Sequence, residues 1–291
     1  MDHSRPGVPA LNASTVDLHL HSTASDGAHE PAEVVRRVAA AGVAVMALTD
    51  HDTVAGVPEA VAEGQRVGLR VVSGCEFSVA APWGEMHLLG YFLPTENPEM
   101  EAFLVGCRNH RLTRAGKIVT ALQAWGVDIS LDEVVAEADG GAIGRPHVAR
   151  VLVRHGTVES LDEAFNLYLG RGRPAYQDKV LPPLAEVADL VHRHGGIVSA
   201  AHLRDRANRN TLQAFKEQGL DGLEVLHPSH PPDLKPRLAA LASRLGLVTT
   251  GGSDWHGGAG ADNARSFPGC EAVPLAWLEA MEAQRPERST G

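Results

Sequence analysis

Short apolar runs alternate with longer amphipathic stretches along the first hundred residues. Thr15–Leu20, Val43–Leu48, Leu69–Ser73 and Glu85–Phe92 read as strands, each brief and bounded by polar or small residues. Between the first two, apolar positions recur at helical spacing from Glu30-Pro31 to Ala41. A proline opens that segment and Gly42 stops it. A second helix is expected over Gly56 to Arg66, ending near Gly68, and Trp83-Gly84 marks a turn. Strands alternating with helices imply right-handed crossovers and a largely parallel sheet.

The rhythm stops after Leu93-Pro94. From Glu99 to Gly170 the pattern is helical: Met100–Trp125 as one or two helices, then Leu131–Ala138, Pro146–Arg154 and Leu161–Leu169. No strand interrupts them, so residues 99–170 are expected to form a helical insertion, far longer than an ordinary loop of about 4–6 residues. Alternation returns at Arg171. Helices are expected at Leu184–His194, Thr211–Gln218, Leu234–Leu245 and Leu275 to Ala283, and strands at Ile197–Ala201, Gly222–Leu226 and Leu247–Thr250. The expected layout is a loose tail at 1–14, a first barrel part at 15–98, the insertion, and a second barrel part at 171–291. Strands mostly followed by helices fit a (β/α) barrel better than an open sheet.

The polar residues at the strand ends change the picture. His19 and His21 are two apart, so a strand places both imidazoles on one face. A loop of small residues then carries Asp26 and Gly27. Asp50 and His51 end the second strand, Glu76 ends the third, and His87 lies on the fourth. His202, His227 and the Asp254/His256 pair follow the last three. Parallel barrels gather catalytic groups at the carboxyl ends of their strands, so one mouth lined with histidines and carboxylates is expected. Two carboxylates about 4 Å apart repel by roughly 4 kcal/mol at an effective dielectric near 20. Divalent metal ions relieve that cost, and neighbouring imidazoles favour them over protonation. Any one of these pairs could be a hydrogen-bonded structural group; their recurrence at nearly every strand end is what points to metal. Cys75, adjacent to Glu76, faces the other side of its strand and is expected in the core.

Composition narrows the class. The chain has 291 residues, 44% hydrophobic and 21% charged, as in a globular protein. No apolar run approaches the about 18 residues of a membrane span. Residues 1–14, with Pro6, Gly7, Pro9 and Asn12, lack the apolar core of a signal peptide. Cys75, Cys107 and Cys270 are odd in number and widely spaced, as free thiols in a reducing cytoplasm would be. A net charge of −10 argues against a general nucleic-acid-binding surface. It leaves room for phosphate chemistry where metal ions and a few placed cations dominate locally.

Four ordered motifs then stand out: Asp17-Leu18-His19-Leu20-His21-Ser22 with Asp26-Gly27, Thr49-Asp50-His51-Asp52-Thr53, Gly74-Cys75-Glu76-Phe77-Ser78, and Gly252-Ser253-Asp254-Trp255-His256. Together they resemble the polymerase and histidinol phosphatase (PHP) family over nearly the whole chain outside the tail. The resemblance implies a distorted (β/α)7 TIM-like barrel, here with a helical insertion domain, and hydrolysis of phosphoesters at two or three divalent ions, manganese first, with iron or zinc as alternatives. It implies one ion held by His19, His21, Glu76 and Asp254, a second sharing Glu76 with His87 and His202, and a third at Asp26, His51 and His256. Asp50 would orient an imidazole. The insertion after the fourth strand resembles the subgroup that hydrolyses the 3'-phosphate of nucleoside 3',5'-bisphosphates and trims short 5'-phosphorylated RNA. Histidinol phosphatase and a non-catalytic metal-binding module are the alternatives.

With metal to lower the pKa of a bound water, no serine or cysteine nucleophile is needed. Asp26 is expected among the catalytic residues. His227 is one candidate to protonate the leaving oxygen, a water on the third metal is another, and His227 could instead be a hydrogen-bonded rim residue. Arg145 and His147 at a predicted helix start, with Arg171, Arg173 and Lys179 where the insertion rejoins the barrel, are expected to grip a non-reacting phosphate. Trp255 or Tyr176 would stack on a base. The expected partners are a small nucleotide or a short 5'-phosphorylated oligonucleotide, not long nucleic acid or membrane.

Overall fold

The computed structural model describes residues 15–257 and 266–286; the tail expected at 1–14 lies outside them. Eight strands form one sheet: β1 (Thr15–Asp17), β2 (Val45–Leu48), β3 (Arg70–Ala81), β4 (Gly84–Tyr91), β5 (Ile197–Ala200), β6 (Gly222–Leu226), β7 (Val248–Gly251) and β8 (Val273–Pro274), in the order β7-β6-β5-β4-β3-β2-β1-β8. The barrel is nearly closed. Beyond the last ladder, the Leu18 amide donates to the Gly251 carbonyl at 3.2 Å and the Asp254 amide to the His19 carbonyl at 2.9 Å. Leu20 also bridges to Trp255, so β7 meets β1 across this seam.

Two strand expectations need correction. The β1–β2, β2–β3, β5–β6 and β6–β7 pairs are parallel, but β4 runs antiparallel to both β3 and β5. The reason is local. A parallel return needs a crossover of a dozen or more residues, whereas Pro82-Trp83 reverses the chain at once, with Gly84 at φ 115° completing the hairpin. Strand β3 also continues well past Ser73, so Glu76 lies inside a strand and not at its end. The two-residue β8, which pairs with Thr15 and Val16, was too short to read from pattern.

Helices cover the barrel: α1 (Pro31–Ala40), α2 (Val57–Val67), α7 (Leu184–Arg193), α8 (Arg209–Lys216), α9 (Leu234–Leu245) and α10 (Leu275–Ala283). Between β4 and α7 come α3 (Pro98–Ala124), a single long helix, then α4 (Leu131–Ala138), α5 (Arg145–Arg154) and α6 (Leu161–Ala164), which passes into a π turn at Phe165–Leu169. Asn97 caps α3 by accepting from the Met100 amide at 2.9 Å, and Ser130 with Glu133 forms a capping box on α4. These helices share their own apolar core, including Ile118, Leu122, Val134, Val148 and Leu152.

The barrel core packs Phe77, Leu88, Val198 and Leu223 with the expected Cys75, which is fully buried. Among the described residues no helix is long and apolar enough to cross a membrane. The insertion leans on the barrel mouth through polar contacts. The Ala142 amide donates to the Ala24 carbonyl at 3.0 Å. Arg111 on α3 pairs with Asp52 at 2.6 Å, with both side chains buried.

Candidate metal centre

The strand ends converge. Glu76, 1% exposed, lies at the middle. Its Oε2 is 3.2 Å from His19 Nε2, 3.1 Å from His21 Nε2 and 3.2 Å from His51 Nδ1. Its Oε1 is 2.8 Å from His87 Nδ1 and 3.0 Å from His202 Nε2. Asp254 Oδ1 stands 3.3 Å from His19 Nε2 and 3.2 Å from His21 Nε2. Asp26 Oδ1 is 3.4 Å from His256 Nε2, and its Oδ2 is 3.9 Å from His51 Nε2.

Four sets could hold an ion: His19, His21, Glu76 and Asp254; His51, Glu76 and His87; His21, Asp26, His51 and His256; and the buried His19, Glu224 and His227. The first matches the expected grouping. In the second, His51 takes the place expected of His202, which still reaches Glu76 Oε1. The backbone brings these groups close. Gly252, just past β7, lies so near β1 that a Cβ there would sit 2.4 Å from the His19 amide nitrogen.

The donor set fits metal. His19 Nε2, both ring nitrogens of His21, His51 Nδ1 and His87 Nδ1 are buried and make no hydrogen bond, although carboxylate oxygens lie within 4.0 Å of each. Buried polar atoms are ordinarily satisfied. Ring nitrogens and carboxylate oxygens aimed at common points, but not at each other in bonding geometry, are what shared cations require. Electrostatics agree. Burial, the largest influence, disfavours charge on His21, yet Asp254 and Glu76 together outweigh it and raise its pKa to about 10. His87 is pushed the same way to about 9, chiefly by Glu76 against burial. His51, where burial dominates, falls to about 3. Burial pushes Asp26, Glu76 and Asp254 upward, but the surrounding imidazoles hold each well below the usual carboxylate range.

A PHP domain profile matches residues 17–226, which hold the cluster from His19 to His202 and stop short of Asp254 and His256. The chain belongs to the PHP family. Among relatives of this PHP protein is a 5'-3' exoribonuclease from Haemophilus influenzae, 36% identical over 82% of this chain and 89% of its own length. Another is a 3',5'-nucleoside bisphosphate phosphatase from Chromobacterium violaceum, 35% identical over 84% of this chain and 87% of its own. A solved chain from Bifidobacterium adolescentis, assigned there as a metal-dependent phosphoesterase, superposes with TM-score 0.84 at 30% identity, covering 95% of this chain and 98% of that one. This PHP protein is a metal-dependent phosphoesterase, with a cluster of histidines and carboxylates able to bind metal.

Above the cluster opens a cavity of about 510 Å3, lined in part by His87, His202, Arg204, Arg206, His227 and Asp254. It adjoins a cleft of about 240 Å3 that shares His87, His202 and Arg206 and adds Trp83, Glu85 and Arg145. His227 stands at the boundary, its Nε2 3.2 Å from Asp254 Oδ2 and its Nδ1 2.8 Å from Ser229 Oγ. Of the residues expected to grip phosphate, Arg145 faces the cleft. It is stacked between Phe165 and Tyr176, at 5.4 and 5.9 Å, and no carboxylate pairs with it among the described residues.

The others are placed differently. His147 is 2% exposed and lines neither cavity; its Nδ1 accepts the Gly144 amide at 2.9 Å, closing the start of α5. Lys179 is tied to Glu85 and Ser78. Arg171 is exposed and donates to the Trp83 carbonyl at 3.1 Å, and Arg173 is exposed on the same turn. Trp255 packs with Leu20 and Val34, which removes it as a base platform, while Tyr176 stays half-buried beside Arg145. Among the described residues Asp50 bonds no imidazole: it accepts from the Ser22 amide and from the hydroxyls of Ser22 and Ser25 at 2.6–2.7 Å, which shapes the loop that carries Asp26.

Sequence reasoning missed Arg204, Arg206, Glu85 and Glu224. The arginines sit in a loop with no motif. Glu85 accepts from His87 Nε2 at 3.2 Å but reads only as the first residue of the strand Glu85–Phe92. Glu224 did carry a signal, a carboxylate inside the apolar strand Gly-Leu-Glu-Val-Leu.

Proposed function

We propose that this protein removes the 3'-phosphate of nucleoside 3',5'-bisphosphates, adenosine 3',5'-bisphosphate among them, to leave the nucleoside 5'-monophosphate, and that it also trims short 5'-phosphorylated RNA. The observation that carries the proposal is the pairing of a carboxylate-imidazole cluster with an arginine-lined cleft. One phosphoryl group fits over the cluster, and a second anion fits between Arg145 and Arg206, which enter the cleft from the insertion and from the loop after β5. A substrate with two phosphates uses both; one with a single phosphate leaves the arginines unpaired. The names of the relatives from H. influenzae and C. violaceum support the same substrate class.

His19, His21, Glu76 and Asp254 would hold one ion, Glu76 with His87, His51 and His202 a second, and Asp26, His51 and His256, with His21 alongside, a third, with manganese as the first choice. Bound there, such ions supply a water of lowered pKa and positive charge opposite the phosphoryl oxygens. The rest falls to the chain. His227 Nε2, at the cavity wall, is the proton donor to the leaving 3'-oxygen. Its imidazole sits deep enough for burial to disfavour charge, but Glu224 and Asp254 more than offset this and raise its pKa. Arg145 holds the non-reacting 5'-phosphate, already oriented by the two rings it lies between.

The test is a phosphate-release assay on adenosine 3',5'-bisphosphate, 5'-AMP and histidinol phosphate. Release is expected from the first alone. Arg145→Ala should raise KM for the bisphosphate about 10- to 100-fold, the value of one or two charge-assisted hydrogen bonds, and leave an aryl phosphate nearly unaffected. Preferred hydrolysis of histidinol phosphate, or an equal effect of Arg145→Ala on both substrates, would refute the assignment.

A further inference from the structure

Glu224 is the one charged residue of β6 and is fully buried. An isolated buried carboxylate is costly, so its partners have to explain it. Its hydrogen-bond partners are two, one on each oxygen, and the His227 imidazole lies beside them. Oε1 is 2.9 Å from His19 Nδ1, and Oε2 accepts the backbone amide of His202 at 2.7 Å. The strand register shifts between Glu224 and Leu226, an irregularity of the kind that re-aims side chains beside active sites.

The chemistry of the first contact is directional. A carboxylate only accepts, so the proton must sit on His19 Nδ1. That leaves the Nε2 lone pair aimed at the space between Glu76 Oε2 and Asp254 Oδ1, at 3.2 and 3.3 Å. The second contact is conformational. His202 has φ 29°, in the left-handed region that side-chain-bearing residues rarely adopt. The bond from its amide to Glu224 holds that turn, which presents His202 Nε2 to Glu76 Oε1 at 3.0 Å.

We infer that Glu224 is a positioning residue that links two of the ion-holding sites: one oxygen sets the tautomer of His19, the other fixes the turn that carries His202. The inference rests on the metal-centre reading above. A single carboxylate thereby sets the approach of one imidazole on either side of Glu76, so removing it disturbs both sets together. A structural acceptor for the His202 amide alone would need no negative charge and no second oxygen on an imidazole.

Glu224→Gln is the informative substitution. An amide has one acceptor oxygen, so it satisfies either His19 or the His202 amide and opposes the other. Wild-type and E224Q proteins, stripped and then titrated with Mn2+, are compared by electron paramagnetic resonance and metal content, with far-UV circular dichroism as the check on folding. E224Q should bind Mn2+ about 10- to 100-fold more weakly, the usual cost of losing a group that orients a metal-bound imidazole, and should lose stoichiometry at more than one site. E224Q that binds as the wild type does would overturn the inference and leave the metal centre standing. Wild-type protein that takes up no Mn2+ would sink the metal centre, and this inference with it. Should E224Q not fold, 15N spectra of the imidazoles in Zn2+-loaded wild-type protein decide. A protonated Nδ1 on His19 supports the role, and ligation through Nδ1 excludes it.

Discussion

Lys179 shows what a single residue's surroundings decide. By sequence it is a cation beside Arg171 and Arg173, at the point where the insertion rejoins the barrel, and so a candidate to hold phosphate. In the fold its ammonium is held by Glu85 and Ser78. Burial first, and then the guanidinium of Arg111, lower its pKa from 10.5 to about 8. The sign of the consequence follows from linkage. Between the folded and unfolded pKa values the unfolded chain binds the extra proton, so stability rises with pH in that window. Below about pH 8 the full cost of burying the charge is present, and by about pH 10.5 it has gone. Wild-type protein should therefore gain stability relative to Lys179→Met as pH rises from about 8 to about 10. Urea unfolding of both proteins at several pH values reads that gap, and a gap independent of pH would show that Lys179 does not titrate in this range. The residue scale is also where the candidate metal-binding cluster was most legible, because His19, His21, His51, Glu76, Asp254 and His256 sit in short local patterns whose chemistry is unusual for surface residues.

Elements explain how the insertion meets the barrel. Helix α3 carries Arg111 inward, where its Nε donates to Asp52 Oδ2 at 2.6 Å and a terminal nitrogen reaches Ser78 Oγ at 3.3 Å. Asp52 Oδ1 in turn accepts the Ser78 amide at 3.2 Å. Asp52 has φ 50°, so the loop after β2 is bent to make this meeting. Removing one partner of a buried pair strands the other charge. Arg111→Met should cost about 3–5 kcal/mol of stability, read as a lower urea midpoint, while Arg111→Met combined with Asp52→Asn should recover part of it. A single substitution that leaves the midpoint unchanged would mean the pair carries no stability. Most helices were legible, since α1, α9 and α10 begin and end within a residue or so of the pattern-based bounds. The exceptions have physical causes. Strand β3 outran its apolar stretch because β4 folds back on it as a hairpin, and β8 exists only because β1 offers an edge.

At the scale of the molecule the clustered carboxylates and imidazoles should make stability depend on metal. A ligand that binds only the folded state at 100 times its dissociation constant adds about 2.7 kcal/mol. For a chain of this size that is a rise of roughly 5–10 °C in the melting temperature. Chelator-treated protein should melt lower and recover on adding Mn2+; a melting curve indifferent to both would speak against ions in the barrel mouth. By itself the sequence determined the alternation of strands and helices, the helical interruption, and the ligand types at the strand ends. Each of these is written locally, in hydrophobic period, in capping residues and in motifs a few residues long. Only the tertiary structure decided that β4 runs against its neighbours, that Asp50 shapes a loop while Glu224 and Glu85 reach imidazoles, and that Arg206 joins Arg145 at one cleft while Lys179 and His147 turn inward. Those outcomes depend on which distant backbone passes within hydrogen-bond reach, and residues 205 positions apart, such as His19 and Glu224, leave no local trace of their meeting.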